Sequence, residues 1–209
     1  MSKTQYNDTS VGAVILASGF SSRMKQQKPF LRFDDNKLFI NKIIENFIEF
    51  GCDKIIVTFN EGVSQWNEFI SQFDNNPSIQ FASNKHPEYE RFYSIKTGLE
   101  YIGNPDYCFI QNVDNPFIDY DILKIIYLSR TDSGYTVPIY EGKGGHPVLL
   151  SKCVIQQIKD ENNIDLNLKE FLTRFERINA EVNSGKIHIN INTQEEYDKF
   201  FLNNKQFSR

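Results

Sequence analysis

Short apolar runs alternate with amphipathic stretches along most of the chain. Val11–Ala17, Lys54–Phe59 and Tyr107–Val113 are predominantly apolar runs of strand length, which is typical of strands buried on both faces of a sheet. Leu38–Phe50 instead carries apolar residues at helical spacing and ends at Gly51, a residue that commonly stops a helix. Strands that alternate with helices predict a Rossmann-like, three-layer α/β/α fold with a mostly parallel, mixed sheet.

The second half of the chain continues the alternation with shorter elements. We expect strands at Tyr135–Ile139 and Pro147–Leu150 on either side of a glycine-rich turn, and a helix over Leu168–Glu176. Lys186–Asn192 alternates apolar and polar residues and is predicted to be a strand. Sheets of this kind bind ligands at the carboxyl ends of their strands, so candidate functional residues should follow the strands directly.

The length of the chain, 209 residues, suits one α/β domain better than two. We expect a flexible leader over residues 1–10, a single domain over residues 11–202, and a flexible tail over residues 203–209. Apolar residues make up 40% of the chain and charged residues 24%, which are ordinary values for a globular protein.

Charge and cysteine content narrow the classes of protein. The formal net charge of −4 opposes a general nucleic-acid binder, which usually has a basic surplus. Cys52, Cys108 and Cys153 are far apart and form no C-x-x-C pair, which favours a reducing cytoplasm over a disulfide scaffold or a zinc site. Because no apolar run approaches the roughly 18 residues of a membrane span, we expect no membrane partner.

A loop rich in small residues follows the first strand. Ser18–Met24 contains Gly19, serines and Arg23, and Lys28 follows shortly afterwards. Such a loop can direct backbone N–H groups at phosphate oxygens, while the guanidinium and the ammonium offset phosphate charge. Its spacing matches neither a Walker P-loop nor G-x-G-x-x-G, and an ordinary turn with two solvated cations remains open on this pattern alone.

The third long strand runs into Asp114-Asn115-Pro116. A carboxylate at the end of a strand projects into the ligand crevice, where it can hold Mg²⁺ against a phosphate. An Asx-turn or a helix cap is the alternative, and the pattern alone favours it. Asp119, close by, is expected to cap the following helix.

Two further segments carry polar side chains of interest. His146 lies in Gly144-Gly145-His146-Pro147. Its ring can donate a hydrogen bond to the phosphate of an acceptor substrate, or it can lie exposed in a tight turn. In a strand, Asn190 and Asn192 would share a face and could complete a Mg²⁺ shell beside Asp114. Thr193 and Glu196 fit a helix capping box, which is a structural role.

Together, four segments resemble the MobA-like NTP transferases, which attach GMP or CMP to molybdopterin. The segments occur in the family's order: Leu16–Met24 with Lys28, Val113–Phe117, Gly145–Val148, and Ile189–Glu196. The resemblance implies a fold of the nucleotide-diphospho-sugar transferase type. It also implies catalytic roles for Arg23, Lys28 and Asp114, nucleotide or acceptor contacts at Leu16, Ala17, Ser18, Gly19, Ser21, Asn84, Ser94 and His146, and metal ligation by Asp114, Asn190 and Asn192.

The implied reaction moves an NMP group from an NTP, CTP or GTP, to a phosphorylated acceptor with Mg²⁺ as cofactor. The implied acceptor is molybdopterin, and a client molybdoenzyme is a possible further partner. The chain departs from the family at Lys25, at Glu90-Arg91 and at Gln194. These departures keep open a non-catalytic carrier of nucleotide or molybdenum cofactor, and a sugar phosphate remains an alternative acceptor. A glycosyltransferase is less favoured because Asn112-Val113-Asp114 is not an acidic D-x-D pair.

The entrance of the loop bears on the choice of base. The guanylyl branch of the family usually reads Leu-Ala-Gly-Gly and the cytidylyl branch Leu-Ala-Ala-Gly, whereas this chain reads Leu16-Ala17-Ser18-Gly19. A side chain at position 18 leaves less room beneath the base, which favours CTP over GTP. The Gly145–Val148 segment favours CTP as well, and Asn190–Thr193 favours the guanylyl branch.

Overall fold

The computed structural model describes residues 9–19, 24, 26–86, 89, 91–163 and 165–202. The expected leader and tail therefore lie mainly outside the described residues. None of the described helices combines the length and the apolar character that crossing a membrane requires.

The described residues form an eight-stranded, mostly parallel mixed sheet, which confirms the predicted fold class. Its strands are β1 (Val11–Leu16), β2 (Lys54–Phe59), β3 (Ile79–Ser83), β4 (Tyr107–Asn112), β5 (Gly134–Tyr140), β6 (Lys143–Gly144), β7 (Val148–Ser151) and β8 (Glu176–Glu181). The order across the sheet is β3-β2-β1-β4-β7-β5-β6, with β8 paired to β5. Strands β1 to β4 are mutually parallel, and β7 runs antiparallel between β4 and β5.

Helices cover both faces of this sheet. They are α1 (Phe39–Phe50), α2 (Gln65–Ser71), α3 (Arg91–Ile102), α4 (Tyr120–Leu128), α5 (Lys152–Asp160), α6 (Leu168–Leu172) and α7 (Gln194–Tyr197). Alternate residues of the strands face opposite ways: Ala13 and Ile15 pack with α1 and α4, whereas Val14 and Leu16 pack with α3 and α5. The two apolar layers explain why these strands read as continuous apolar runs.

A third apolar cluster joins the end of the chain to the middle. Phe39 and Phe117 are buried there with Ile191, and Phe201 stacks on Phe117 at 5.6 Å between ring centroids. The backbone N–H of Ile191 donates to the carbonyl of Asp114 at 2.8 Å. The segment that contains Asn190 and Asn192 is thereby held against the loop that follows β4.

The predicted strand over Lys186–Asn192 is wrong. Gly185–His188 forms a 3₁₀ helix, and an irregular segment follows it. The side chain of Asn115, which is fully buried, donates from Nδ2 to the carbonyls of Lys186 at 3.3 Å and Ile187 at 3.0 Å. One amide side chain thus supplies the partner that a neighbouring strand would otherwise provide.

The predicted helix over Leu168–Glu176 is too long, since α6 ends at Leu172 and Glu176 begins β8. Within β8 only Ala180 is buried, so this strand lacks the apolar alternation that would reveal it in the sequence. The helix that was expected to end at Gly51 does so: Gly51 adopts a φ of 99° and closes α1.

We expect Gly98→Ala to destabilise the domain by about 1–3 kcal/mol, because a Cβ at this position would overpack the contact of α3 with the sheet. The added Cβ would lie 2.4 Å from Cγ1 of Val14 and 3.1 Å from Cγ2 of Thr58. Urea unfolding measures the change. Glu100→Ala, an exposed position of the same helix, is the control and should stay close to the wild type. Stabilisation by Gly98→Ala, the usual result in a helix interior, would contradict the packing argument.

Candidate active site

A cleft of about 250 Å³ opens at the carboxyl ends of the parallel strands. The register that pairs Leu16 of β1 with Asn112 of β4 brings the loops after these two strands to the same edge. The N-terminal turn of α3 and the 3₁₀ helix Lys28–Phe30 complete the walls. The cleft therefore lies where a parallel sheet is expected to bind its ligand.

One wall of the cleft contains a chain of buried polar side chains. Ser18 and Ser94, 5% and 6% exposed, have their hydroxyl oxygens 2.8 Å apart. Asn84 donates from Nδ2 to the Ser94 oxygen at 3.0 Å, and its Oδ1 accepts from the backbone N–H of His86 at 2.8 Å. These contacts fix the Asn84 amide and join the loop after β1 to α3. The two hydroxyls share one hydrogen bond, so within the described residues one hydroxyl proton remains available to a ligand.

On another side of the cleft, Lys28 meets two segments that are distant in sequence. Its Nζ lies 2.7 Å from Oδ1 of Asn192 and 3.5 Å from Oδ2 of Asp114. The side chains of Lys28 and Asp114 are 18% and 23% exposed, so solvent reaches both. Because an ammonium and a carboxylate at this distance attract each other, Lys28 draws the loops after β1 and β4 and the Asn192 segment together.

Two buried oxygen atoms, on the two segments that the Ile191–Asp114 hydrogen bond joins, have no hydrogen-bond partner in the described part of the chain. They are Oδ1 of Asp114 and Oδ1 of Asn190. Such atoms are uncommon in proteins because their desolvation is not compensated, and a bound ion is one explanation. No group of three or more His, Cys, Asp or Glu side chains gathers among the described residues. The oxygen set of one carboxylate and neighbouring amides fits Mg²⁺, which usually keeps several waters and takes the rest of its shell from substrate phosphates.

The capping box predicted at the start of α7 is confirmed and holds Asn192 in place. Thr193 Oγ1 accepts from the backbone N–H of Glu196, and Glu196 Oε2 accepts from the N–H groups of Thr193 and Asn192 at 3.0 and 2.7 Å. Asp119 caps α4 as expected, with Oδ1 accepting from Ile122 N–H. These side chains therefore stabilise the helix ends and position the loops of the site.

Arg91, the first residue of α3, also lines the cleft. Its Nη2 donates to Oδ1 of Asn112 and lies 3.5 Å from Nε2 of His146. Burial, and secondly the positive charge of Arg91, lower the pKa of His146 to about 3, so its imidazole is neutral near pH 7. Burial also lowers the pKa of Arg91, an effect that the charge of Asp114 opposes.

Most of the residues singled out from the sequence meet in this cleft. Those that line it are Leu16, Ser18, Gly19, Lys28, Asn84, Ser94 and Asp114. Three others are connected to the cleft by contacts with residues that line it. Asn192 bonds to Lys28, and His146 contacts Arg91. Asn190 precedes Ile191, whose N–H donates to the carbonyl of Asp114. Ala17 is buried behind the lining and bonds from its N–H to Thr58. Ser21, Arg23 and Lys25 lie outside the described residues, so their predicted places stay predictions.

The sequence did not suggest a role in the site for Asn112, Asn115 or Tyr89. Arg91 was noted only as a position at which the chain departs from the family that it resembles. Asn112 carried a usable signal, since it ends a predicted strand two residues before Asp114. Asn115 carried none, because its partners lie more than seventy residues away, at separations of 71 and 72.

Comparisons with known proteins identify the family of the chain. Residues 13–178 match the family described as the MobA-like NTP transferase domain. The molybdenum cofactor cytidylyltransferase of Escherichia coli K12 is 28% identical over 192 residues, covering 90% of this chain and 94% of that protein. A probable molybdenum cofactor guanylyltransferase of Clostridium perfringens SM101 is 27% identical over 198 residues, covering 89% of this chain and 93% of that protein.

A solved structure supports the fold. A protein of Mycobacterium tuberculosis H37Rv superposes with a TM-score of 0.76 at 18% identity, covering 93% of this chain and 99% of that chain. A second structure of that protein, in complex with manganese, gives a TM-score of 0.72 at 16% identity.

We expect acid to destabilise the native protein partly through His146. In the unfolded chain its pKa returns to about 6.5, whereas in the folded protein it is about 3. Between these values the unfolded state binds a proton that the native state does not, so stability falls as the pH is lowered from about 6.5. His146→Gln should remove this contribution, and the wild type should lose roughly 2–3 kcal/mol more than the variant between about pH 7 and about pH 4.5. Urea unfolding at the two pH values measures the difference, and equal losses would contradict the assignment.

Proposed function

We propose that this chain, which belongs to the MobA-like NTP transferase family, moves CMP from CTP to the phosphate of molybdopterin in the presence of Mg²⁺ and releases pyrophosphate. Nucleotidyl transfer itself follows from the family. The base, the acceptor and the metal are our proposals. The observation that carries the proposed transfer and its metal is the meeting of Lys28, Asp114 and Asn192 at the edge where β1 and β4 end.

The triphosphate is assigned to the loop after β1. Gly19 and Lys28 line the cleft there, and Ser21 and Arg23 belong to the same loop, outside the described residues. An ammonium can neutralise phosphate oxygens as a point charge, and an arginine can grip them as a fork. The nucleoside is assigned to Leu16, Ala17 and Ser18 with Asn84 and Ser94. Within the described residues, the buried hydrogen-bond chain of Ser18, Ser94 and Asn84 retains one hydroxyl proton for a base or ribose oxygen.

The metal is assigned to Asp114 with Asn190 or Asn192. The support is the pair of buried oxygens on Asp114 and Asn190 that have no partner among the described residues. When bound, a divalent cation at these oxygens neutralises charge on the phosphates of the nucleotide. The protein of M. tuberculosis that shares the fold was solved with manganese, which agrees with a divalent cation in that protein.

The reaction then requires little proton transfer by the protein. An oxygen of the acceptor phosphate forms a bond to the α-phosphorus, the bond from that phosphorus to the bridging oxygen breaks, and its electron pair leaves with pyrophosphate. A phosphate monoester is ionised near neutral pH, so no general base is needed. The contribution of the chain is to hold the two anions in line and to offset their charge with Lys28 and Arg23.

The preference for CTP rests on Ser18. Its side chain is buried in the lining of the cleft and is fixed by its bond to Ser94. A side chain in that place leaves less room for a purine than glycine would. The two enzymes compared above, at 28% and 27% identity, do not separate the bases, so the proposal depends on the pocket.

We expect Asp114→Asn and Asp114→Ala to lower kcat for nucleotidyl transfer by about a thousandfold or more, because both remove the negative charge and Asp114→Ala also removes the ligand oxygen. Pyrophosphate release with CTP, molybdopterin and Mg²⁺ measures this. Asp121→Asn, an exposed carboxylate in the first turn of α4, is the matched control and should retain wild-type rates. Turnover like that of the wild type in both Asp114 variants, with unfolding transitions unchanged, would refute the metal assignment.

We expect Ser18→Gly to raise the ratio of GMP to CMP transfer by about tenfold, the usual size of a steric effect of one or two heavy atoms. Competition between labelled CTP and GTP at equal concentration gives the ratio. Ser18→Ala keeps the Cβ and removes the hydroxyl, so it should leave the ratio near that of the wild type. A shift of the same size in Ser18→Ala would mean that the hydrogen bond to Ser94, and not the available space, sets the preference. Preferential GMP transfer by the wild type would overturn the proposal.

A further inference from the structure

Arg91 is a charged side chain of the cleft for which the proposed reaction has so far given no role. Its partners among the described residues are the neutral side chains of Asn112 and His146. The ion pairs formed within the described part of the chain include Lys28 with Asp114 and none that involves Arg91. A guanidinium stays protonated in proteins, so Arg91 brings a positive charge to the cleft, and the charge of Asp114 stabilises it without a direct ion pair among the described residues.

The guanidinium is held by a rigid element. Asn112 ends β4 and pairs with Leu16 of β1, and its carbonyl accepts from Nε2 of Gln111 at 2.9 Å. The hydrogen bond from Arg91 to the Asn112 side chain therefore anchors the guanidinium to the centre of the sheet. It occupies one of the five N–H donors of arginine and leaves others for a ligand. A prearranged fork of this kind suits the oxygens of a phosphate.

His146 gives Arg91 a second neutral partner beside Asn112. Arginine can only donate, so the Nε2 atom that faces it carries a lone pair, and in the neutral ring the proton resides on Nδ1. Nδ1 is buried and has no partner among the described residues. Arg91 and His146 thus form a hydrogen-bonded pair in which the arginine supplies the charge and the histidine helps to orient the guanidinium.

The position of this pair separates it from the triphosphate loop. His146 stands just before β7, which neighbours β4 on the side away from β1. Lys28 belongs to the loop after β1 and is already engaged by Asp114 and Asn192. Attack on the α-phosphorus in line requires the acceptor phosphate and the departing pyrophosphate to lie on opposite sides of that phosphorus. The cleft therefore needs a second phosphate site, and the Arg91–His146 pair is placed for it.

We propose that Arg91, anchored by Asn112 and accompanied by His146, binds the phosphate group of the acceptor and so determines acceptor affinity and not nucleotide affinity. This inference rests on the proposed nucleotidyl transfer to a phosphorylated acceptor. It assigns a function to one of the positions at which the chain departs from its family.

The test compares Arg91→Gln, Arg91→Lys and the wild type. Gln can still bond to Asn112 but has no charge, and Lys keeps the charge without the fork. Arg177→Gln is the matched control, because Arg177 also donates to an asparagine, Asn179, and is exposed on β8. Kinetics with CTP and molybdopterin give the two KM values. Binding of inorganic phosphate in the presence of a saturating, non-hydrolysable CTP analogue and Mg²⁺ gives a readout that does not depend on the identity of the acceptor.

We expect Arg91→Gln to raise the KM for molybdopterin and the Kd for inorganic phosphate about 10- to 100-fold, the usual size for loss of charge-assisted hydrogen bonds. Arg91→Lys should fall between the wild type and Arg91→Gln, and Arg177→Gln should behave as the wild type. The Kd of the CTP analogue should change less than about twofold. A larger loss of nucleotide affinity than of phosphate affinity, or equal phosphate binding by the wild type and Arg91→Gln, would overturn the inference. Failure of the wild type to use molybdopterin, with Arg91-dependent phosphate binding intact, would refute only the proposed acceptor.

If Arg91→Gln does not fold, as judged by its thermal unfolding, Arg91→Lys decides. Phosphate affinity equal to that of the wild type in Arg91→Lys would then contradict a role for the planar fork.

Discussion

The parallel pairing of β1 with β4 is the constraint on which the site depends. Because Leu16 lies opposite Asn112, the loops that follow the two strands begin at the same edge of the sheet. The polar residues of these two loops therefore lie close together. Both strands are buried on both faces, so the edge is supported by the two apolar layers of the domain. The contact of Lys28 with Asp114 and Asn192 is a consequence of this pairing. A shift of register would move Asn112 and Asp114 away from the loop after β1.

The cleft contains two kinds of polar arrangement, and they contribute differently. The chain from Ser18 through Ser94 to Asn84 is buried and nearly satisfied, so it fixes shape. The groups around Asp114 are incompletely satisfied, which costs stability that a bound ligand can recover. The difference matches the proposed division of the cleft into a rigid nucleoside side and a reactive phosphate side.

The buried strands β1, β2 and β4 and helix α1 could be predicted from apolar periodicity, because their neighbours in space bury both faces of a strand or one face of a helix. The exposed strand β8 could not, since only Ala180 of its six residues is buried. The 3₁₀ turn that presents Asn190 and Asn192 also escaped prediction, because its carbonyls are satisfied by the distant side chain of Asn115. Lys28 and Asp114 were singled out because the segments that contain them resemble those of a known family. The contact of Arg91 with His146 could not be predicted either. It depends on the antiparallel direction of β7, which the sequence pattern does not reveal.

The central claim is that an acceptor phosphate attacks the α-phosphorus of the nucleotide in this cleft. The most direct test uses molybdopterin whose phosphate is labelled with ¹⁸O, together with CTP, Mg²⁺ and the wild-type protein, and follows the label by mass spectrometry. The account predicts a CMP adduct in which ¹⁸O occupies the bridge to the former α-phosphorus, with one unlabelled pyrophosphate released for each adduct. Label in the pyrophosphate, or pyrophosphate release without an adduct, would contradict it.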